Sequence, residues 1–259
     1  MISIIDTHIH FDDERFDSDR NRIYASAVDA GVSRMIIPAT TRAKWNKIFS
    51  LSSEYKNIHP TAGLHPVFIN EHCDDDLQLL DSALQNNNCV AVGECGLDRF
   101  VDNPDLKKQI HFFTQQIELA ATHKLPLIIH ARNAVEDVTL AIKSAGRNSC
   151  GVVHSYNGSL QQAHQLIDLG FLLSFGGAIT YNRATRLRKL IRELPLDAIM
   201  VETDAPDQPT QSCDGERNEP ARLPDVVSAI AEIKELEQEE IIHSSNANAI
   251  RLFKLPDSL

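Results

Sequence analysis

Short runs of β-branched and apolar residues alternate along this chain with longer stretches in which apolar residues recur every three to four positions. Runs of the first kind predict strands buried on both faces, and the longer stretches predict amphipathic helices. The helical spacing is clearest over Leu106–His123, where Ile110, Phe113 and Ile117 share one face. The predicted strands are Ile2–Thr7, Arg34–Ala39, Ile58–Leu64, Cys89–Gly93, Pro126–Ile129, Gly151–His154, Phe171–Ser174 and Ala198–Glu202.

This alternation predicts a parallel sheet covered by helices, and eight strand–helix units are the number that closes into a barrel. Gly31, Gly146 and Gly170 each follow a predicted helix, where a helix-ending residue is expected. The 259 residues show no break in composition and fit one domain of this kind. We therefore predict an α/β fold, a single (β/α)₈ TIM barrel over residues 1–259 with its active site at the C-terminal ends of the strands.

Composition limits the cellular compartment and the substrates that we expect for such a barrel. The five cysteines include no CxxC pair, which favours a reducing compartment over a disulfide framework. No stretch approaches the roughly 20 apolar residues of a membrane span, and the first residues do not resemble a signal peptide. The formal net charge of −11 opposes long polyanions. We expect a cytoplasmic protein without membrane contact, and we infer no stable protein partner.

Side chains that commonly bind metals stand at the C-terminal ends of several predicted strands. In a barrel these ends meet on the face that carries the active site. Within the first of them, the two-residue period of a strand directs His8 and His10 to the same side. The six candidate metal ligands are His8, His10, Glu94, His130, His154 and Asp204.

Four imidazoles and two carboxylates suit a borderline transition ion better than Ca²⁺, which prefers oxygen ligands alone. Six ligands exceed the needs of one tetrahedral ion. We therefore expect two divalent ions, with Zn²⁺, Mn²⁺ or Mg²⁺ as candidates, bridged by Glu94 and a hydroxide. Such a centre lowers the pKa of bound water toward ~7.

Seven segments around these ligands carry a family pattern: Asp6–Asp12, Gly63–Pro66, Val92–Asp98, Ile129–Arg132, Val153–His154, Glu202–Pro206 and Asn246–Phe253. They closely resemble the TatD family of metal-dependent hydrolases, and the resemblance runs from end to end. It implies an amidohydrolase-like barrel, two divalent ions and, as in characterised relatives, nuclease activity on DNA. It assigns metal binding to the same six residues and, from the superfamily, handling of the attacking water's proton to Asp204. Asp204 and Glu94 are thus the expected catalytic residues.

The chain departs from the family pattern in loops that we expect to face the substrate. Tyrosines are usual where Arg99 and Phe100 follow Asp98, and Tyr156 lies in a second departure after His154. A third departure is Asp207-Gln208-Pro209. An arginine in place of a tyrosine favours a small anionic ligand over a stacked base. We therefore expect short phosphoesters or small carboxylated substrates to be turned over better than long DNA.

The expected substrate-binding residues are His65, Arg132, Arg99 and Tyr156. His65 precedes a proline, so it serves either the substrate or a turn. Arg132 follows His130 by two residues and is suited either to bidentate pairing with a phosphate or to a structural salt bridge.

These residues predict a metal-dependent hydrolase of ester bonds, in the broad enzyme class EC 3.1. Phosphodiester hydrolysis by the bridging hydroxide is favoured, including deoxyribonuclease activity, with a small phosphoester or short nucleic acid as substrate. The alternative is an amide, ester or lactone hydrolase of the deacylase kind that uses the same two metals. A non-catalytic metal-binding protein is the least favoured, because a structural metal leaves no open ligand position.

Overall fold

A computed structural model describes residues 3–102, 104–146 and 149–256. Its strands are β1 Ile4–Asp6, β2 Val32–Ile37, β3 Ile58–Pro60, β4 Val92–Asp98, β5 Leu127–Arg132, β6 Gly151–Val153, β7 Phe171–Phe175 and β8 Ile199–Val201. Its α-helices are α1 Arg20–Asp29, α2 Arg42–Glu54, α3 Asp74–Asn86, α4 Leu106–His123, α5 Val135–Ala145, α6 Leu160–Asp168, α7 Thr185–Glu193, α8 Leu223–Lys234 and α9 Gln238–Phe253. Each predicted strand overlaps an observed one. Ile2, in the first predicted strand, lies outside the described residues.

The chain forms two compact units, one of residues 1–37 and 173–259 and the other of residues 38–172. In the first unit β1 pairs in parallel with β2, and β7 pairs in parallel with β8. The backbone N–H of Thr7 donates to the carbonyl of Val201 (3.2 Å), and that of Asp204 donates to the carbonyl of His8 (2.9 Å). These bonds join the segments that carry β1 and β8, so the strand order in this unit is β7, β8, β1, β2.

Two asparagines of α9 fix the starts of β1 and β8. The side chain of Asn246 accepts from the backbone N–H of Ile5 and donates to the carbonyl of Ser3. The amide of Asn248 donates to the carbonyl of Ile199 (2.8 Å). Because these side chains satisfy backbone groups at the beginnings of the strands, they set the position from which His8 and Asp204 follow.

In the second unit the backbone N–H of Gly93 donates to the carbonyl of Ala62 just past β3 (2.9 Å). β4 then pairs in parallel with β5, and β5 with β6, so the order is β3, β4, β5, β6. Gly96 lies opposite His130 with a positive φ of 126°, and a side chain there would overlap the His130 carbonyl oxygen. Glycine is therefore required for the close approach of β4 and β5 beside a candidate ligand.

Most of the helix pattern predicted from the sequence is present, with one exception in α4. Phe113 and Ile117 are buried as predicted, whereas Ile110 is 42% exposed. Phe112 is buried in its place. The buried face of α4 is therefore rotated slightly from the predicted face, so that it includes Phe112 and leaves Ile110 outside. The glycines expected to end helices have positive φ, 90° at Gly31 and 59° at Gly146. None of the helices in the described part of the chain has the length and apolarity that crossing a bilayer requires.

Candidate functional site

The first unit brings together His8, His10 and Asp204, which we call the Asp204 group. The Nε2 atoms of both histidines lie 3.5 Å from Oδ1 of Asp204. Their rings are 5.2 Å apart and nearly perpendicular. His8 is fully buried and His10 is half-buried, so the group opens to solvent on the His10 side.

Asp204 is held by its backbone and by one neighbouring side chain. It has a left-handed conformation with φ of 55°, which aspartate adopts more readily than most residues. Nε2 of Gln208 donates to Oδ2 of Asp204 at 2.5 Å, which leaves Oδ1 facing the two imidazoles. Gln208 had no predicted role.

Asp6 and Glu202 lie beside this group. The Asp6 carboxylate accepts from the Thr203 hydroxyl (2.6 Å) and from the backbone N–H groups of Thr203 and His8. Glu202 accepts from the hydroxyl of Ser174. Burial raises the pKa of Asp6 to about 8. The observed contacts of Asp6 therefore fix the backbone on either side of two candidate ligands.

The second unit brings together His65, Glu94, His130 and His154, which we call the Glu94 group. Oε1 of Glu94 lies 2.9 Å from Nε2 of His65, 3.1 Å from Nδ1 of His130 and 2.8 Å from Nε2 of His154. Glu94 is 1% exposed. Three imidazoles thus converge on one atom of a buried carboxylate.

Glu94 and His130 lie inside their strands, whereas the sequence placed them at strand ends. β4 continues for four residues beyond Glu94 to Asp98, and β5 continues to Arg132. The predicted strand ended at Gly93, one residue before Glu94. The longer strand places Glu94 and Asp98 on the same face, since their separation is a multiple of two.

Asp98 is the functional candidate that the sequence reasoning missed. Its Oδ2 accepts from Nε2 of His130 at 2.8 Å, so Nδ1 of that ring faces Glu94. A carboxylate behind an imidazole is the usual support of a metal-binding histidine. Burial by itself opposes charge on His130, but hydrogen bonds to Asp98 and Glu94 raise its pKa above the ordinary value. The signal was present in the sequence as a carboxylate four residues after Glu94.

Of the two roles left open for His65, the structure shows the turn. Its Nδ1 accepts the backbone N–H of Val67 (3.1 Å), which caps the short 3₁₀-helix Pro66–Glu71. The ring proton therefore resides on Nε2, which donates to Glu94. In this tautomer His65 is a hydrogen-bond donor within the group.

Two buried glutamines of α4 position the backbone around the Glu94 group. Gln116 exchanges two hydrogen bonds with the backbone of Leu64, next to His65. Gln109 does the same with the backbone of Asp98. Because residues seven apart lie on one face of a helix, α4 holds both segments at once.

The remaining predicted substrate-binding residues have different surroundings. Arg132 is exposed at the end of β5, and its guanidinium lies 3.7 Å from the centre of the Phe100 ring. Arg99 forms two hydrogen bonds with Asp137, at 2.6 and 2.9 Å. Tyr156, expected at an exposed rim, is 2% exposed, and its hydroxyl donates to the carbonyl of Ser159. The Tyr156 ring is therefore part of the packing that holds its loop.

Both groups fit divalent metal binding by their chemistry. In each group, ligand atoms of three residues lie within 4.8 Å of one another, His8, His10 and Asp204 in one and His65, Glu94 and His130 in the other. Imidazole nitrogen with carboxylate oxygen is a donor set for Zn²⁺, Mn²⁺ or Fe²⁺. Such groups at and beyond the carboxyl-terminal halves of parallel strands are typical of metal-dependent hydrolases.

Comparison with known proteins identifies the family within that class. The family model described as TatD related DNase matches residues 5–254, and the chain belongs to the TatD family of metal-dependent hydrolases. The metal-dependent hydrolase YjjV of Escherichia coli K12 is 36% identical over 254 residues, which are 97% of this chain and 98% of that protein. The metal-dependent hydrolase YabD of Bacillus subtilis is 34% identical over 253 residues, 97% of this chain and 99% of that one.

The fold is shared with a solved relative. The crystal structure of YjjV, a TatD homologue, superposes with a TM-score of 0.94 and covers 98% of each chain. The predicted fold class, an α/β chain of the (β/α)₈ barrel type, is confirmed by this match.

Proposed function

We propose that this protein hydrolyses phosphodiester bonds in small phosphoesters or short nucleic acids, with divalent metal ions as cofactors. The observation that carries the proposal is the guanidinium of Arg132. It is exposed two residues beyond His130, and within the described residues it has no carboxylate partner. Such a group pairs in bidentate fashion with phosphoryl oxygens. The DNase description of the matched family supports the same bond type.

The residues that would hold the metals are His8, His10 and Asp204 in one group and Glu94, His130 and His154 in the other. When bound, the metals would supply a water molecule with a pKa near ~7 and neutralise charge on the phosphoryl group. Two ions per chain is our proposal, and Zn²⁺, Mn²⁺ and Mg²⁺ are the ions to test.

The protein's own groups have separate tasks in this proposal. Asp204 accepts the proton of the attacking water, because Gln208 engages Oδ2 and leaves Oδ1 directed at the imidazoles. His65 donates a hydrogen bond from its Nε2–H to the Glu94 carboxylate and so fixes the position of that carboxylate. Asp98 fixes the orientation of His130. Arg132 binds the non-reacting phosphoryl oxygens and so places the phosphorus.

The test is a substrate panel with the purified protein, first stripped with EDTA and then supplied with each ion. Bis(p-nitrophenyl) phosphate represents phosphodiesters, and p-nitrophenyl acetate and a lactone represent the carbonyl alternative. We expect metal-dependent turnover of the phosphodiester with the higher kcat/KM. Faster turnover of the acetate or the lactone would overturn the proposed bond type.

Arg132→Met tests the residue that carries the proposal, with Arg183→Met as its control at an exposed arginine that also lies over an aromatic ring, that of Tyr181. Loss of a bidentate charged pair should lower kcat/KM for the phosphodiester by roughly 10- to 100-fold. The control should leave it within about twofold. Equal effects of the two substitutions would remove Arg132 from the proposed mechanism.

A further inference from the structure

Phe100 is a large apolar side chain that the structure leaves 60% exposed. The guanidinium carbon of Arg132 lies 3.7 Å from the centre of its ring, a stacked cation–π contact. The guanidinium of Arg132 thus lies over one face of the Phe100 ring, and we call this stacked pair the Phe100–Arg132 platform. It joins an aromatic face to the cation proposed above to bind the phosphoryl group.

Asp98 ties this platform to the Glu94 group. Its Oδ1 accepts the backbone N–H of Phe100 at 2.6 Å and that of Val101 at 3.2 Å, while its Oδ2 accepts from His130. One carboxylate therefore sets both the turn that carries Phe100 and the orientation of a candidate metal ligand.

Arg99 precedes Phe100 in this turn, and its contacts differ from those of Arg132. The guanidinium of Arg99 is engaged by Asp137, whereas its backbone N–H donates to the carbonyl of Arg132 at 3.0 Å. The charge expected to favour a small anion over a stacked base is thus paired with Asp137. The stacking surface that this loop seemed to lack is supplied by Phe100, one residue further along the chain.

We infer that the Phe100–Arg132 platform receives a nucleobase attached to the scissile phosphodiester and thereby determines substrate specificity. This inference rests on the proposed phosphodiester hydrolysis and adds the class of group next to the bond. Bases stack on aromatic rings and on guanidinium planes without regard to sequence, and each contact contributes roughly 5- to 150-fold in affinity. A short single-stranded nucleic acid matches the platform, because its bases are free to stack.

The test compares three dinucleotides that share one phosphodiester: dithymidine, and two analogues in which the base on one side or the other is replaced by hydrogen. Products are separated by chromatography after reaction with the metal-loaded enzyme. The wild type should cleave dithymidine with a kcat/KM about tenfold or more above that of one analogue. Phe100→Leu should reduce this ratio to below about two, and Phe100→Trp should preserve it.

Leu140→Ala, at a 55% exposed position on α5, is the matched control and should keep the wild-type ratio. A kcat/KM ratio unchanged by Phe100→Leu would overturn the inference. An equal loss of kcat/KM on all three substrates would also overturn it, because such a loss indicates a purely structural role. Unfolding temperature and metal content of each variant separate that role from recognition.

If no phosphodiester is cleaved, the proposed function fails. A binding experiment then tests the platform separately. Calorimetric titration of the EDTA-treated protein with tetrathymidylate, (dT)₄, should show binding weakened about tenfold by Phe100→Leu and restored by Phe100→Trp. No binding to the wild type, or equal binding to Phe100→Leu, would reject the platform independently of catalysis.

Discussion

The Asp204 group and the Glu94 group use the same kinds of side chain but are assembled differently. In the Glu94 group three imidazole nitrogens lie within 3.1 Å of one carboxylate oxygen. In the Asp204 group the two nitrogen–oxygen distances are both 3.5 Å, beyond good hydrogen-bond length. In the first group Glu94 accepts a hydrogen bond from His65 and faces two further imidazoles, whereas Asp204 is positioned by its backbone conformation and by Gln208.

This difference separates two ways of building a metal site. His130 is oriented by the side chain of Asp98, and the backbone of Asp98 is held by Gln109 of α4. Asp204 is held instead by its own left-handed backbone conformation and by one hydrogen bond from Gln208. We therefore expect substitutions in the Glu94 group to disturb both folding and chemistry, and substitutions in the Asp204 group to disturb chemistry alone.

The largest effect is expected from Glu94→Gln. The amide keeps the shape of the side chain but removes the charge on which three imidazoles converge, so kcat should fall by about 10⁴-fold. The free energy of unfolding should also fall, by about 1–3 kcal/mol, because a neutral amide oxygen accepts buried hydrogen bonds more weakly than a carboxylate does. Assays with added metal and urea titration measure the two effects. A variant of wild-type stability would show that the group's hydrogen bonds do not support the fold.

Asp204→Asn should lower kcat by about 10³-fold through loss of the proton acceptor. Its unfolding free energy should stay within about 0.5 kcal/mol of the wild type, because the imidazole contacts are already long. The same assays and urea titration apply. Turnover at the wild-type rate would show that Asp204 is not the proton acceptor.

Asp98→Asn should reduce metal affinity and activity by about 10- to 100-fold, as is usual for a group behind a metal-binding imidazole. The neutral amide has a single acceptor oxygen, so it cannot accept hydrogen bonds from both His130 and the two backbone N–H groups as the carboxylate does. Metal affinity is measured by competition with a chelating dye. Unchanged affinity would mean that His130 is oriented without Asp98.

Gln208→Ala should give the smallest effect, a loss of about fivefold in kcat, since it removes one hydrogen bond from Asp204 worth about 1 kcal/mol. KM should hardly change. If Gln208→Ala equalled Asp98→Asn in its effect on metal affinity, the contrast between the two groups would disappear.

The fold was predictable from the sequence because buried parallel strands are nearly continuous apolar runs. Strand ends were harder to predict. The predicted fourth strand ended at Gly93, whereas β4 continues through Gly96, whose missing side chain lets β4 approach β5 at His130. That misplacement concealed Asp98, whose position along the strand would otherwise have marked it as a partner of Glu94.

The roles of the arginines could not be read from the sequence. Arg99 pairs with Asp137, which lies far along the chain on α5, while Arg132 stacks on Phe100. Both contacts form between residues more than 30 positions apart. The order of residues alone therefore did not show which guanidinium would be engaged.

The central claim, that both groups bind divalent metal, is tested most directly by elemental analysis of protein purified without chelators. The wild type should carry about two transition ions per chain. The double variants His8→Asn/His10→Asn and His130→Asn/His154→Asn should each lose at least about one of them. A wild type without bound transition metal, or a double variant that retains both ions, would contradict the account.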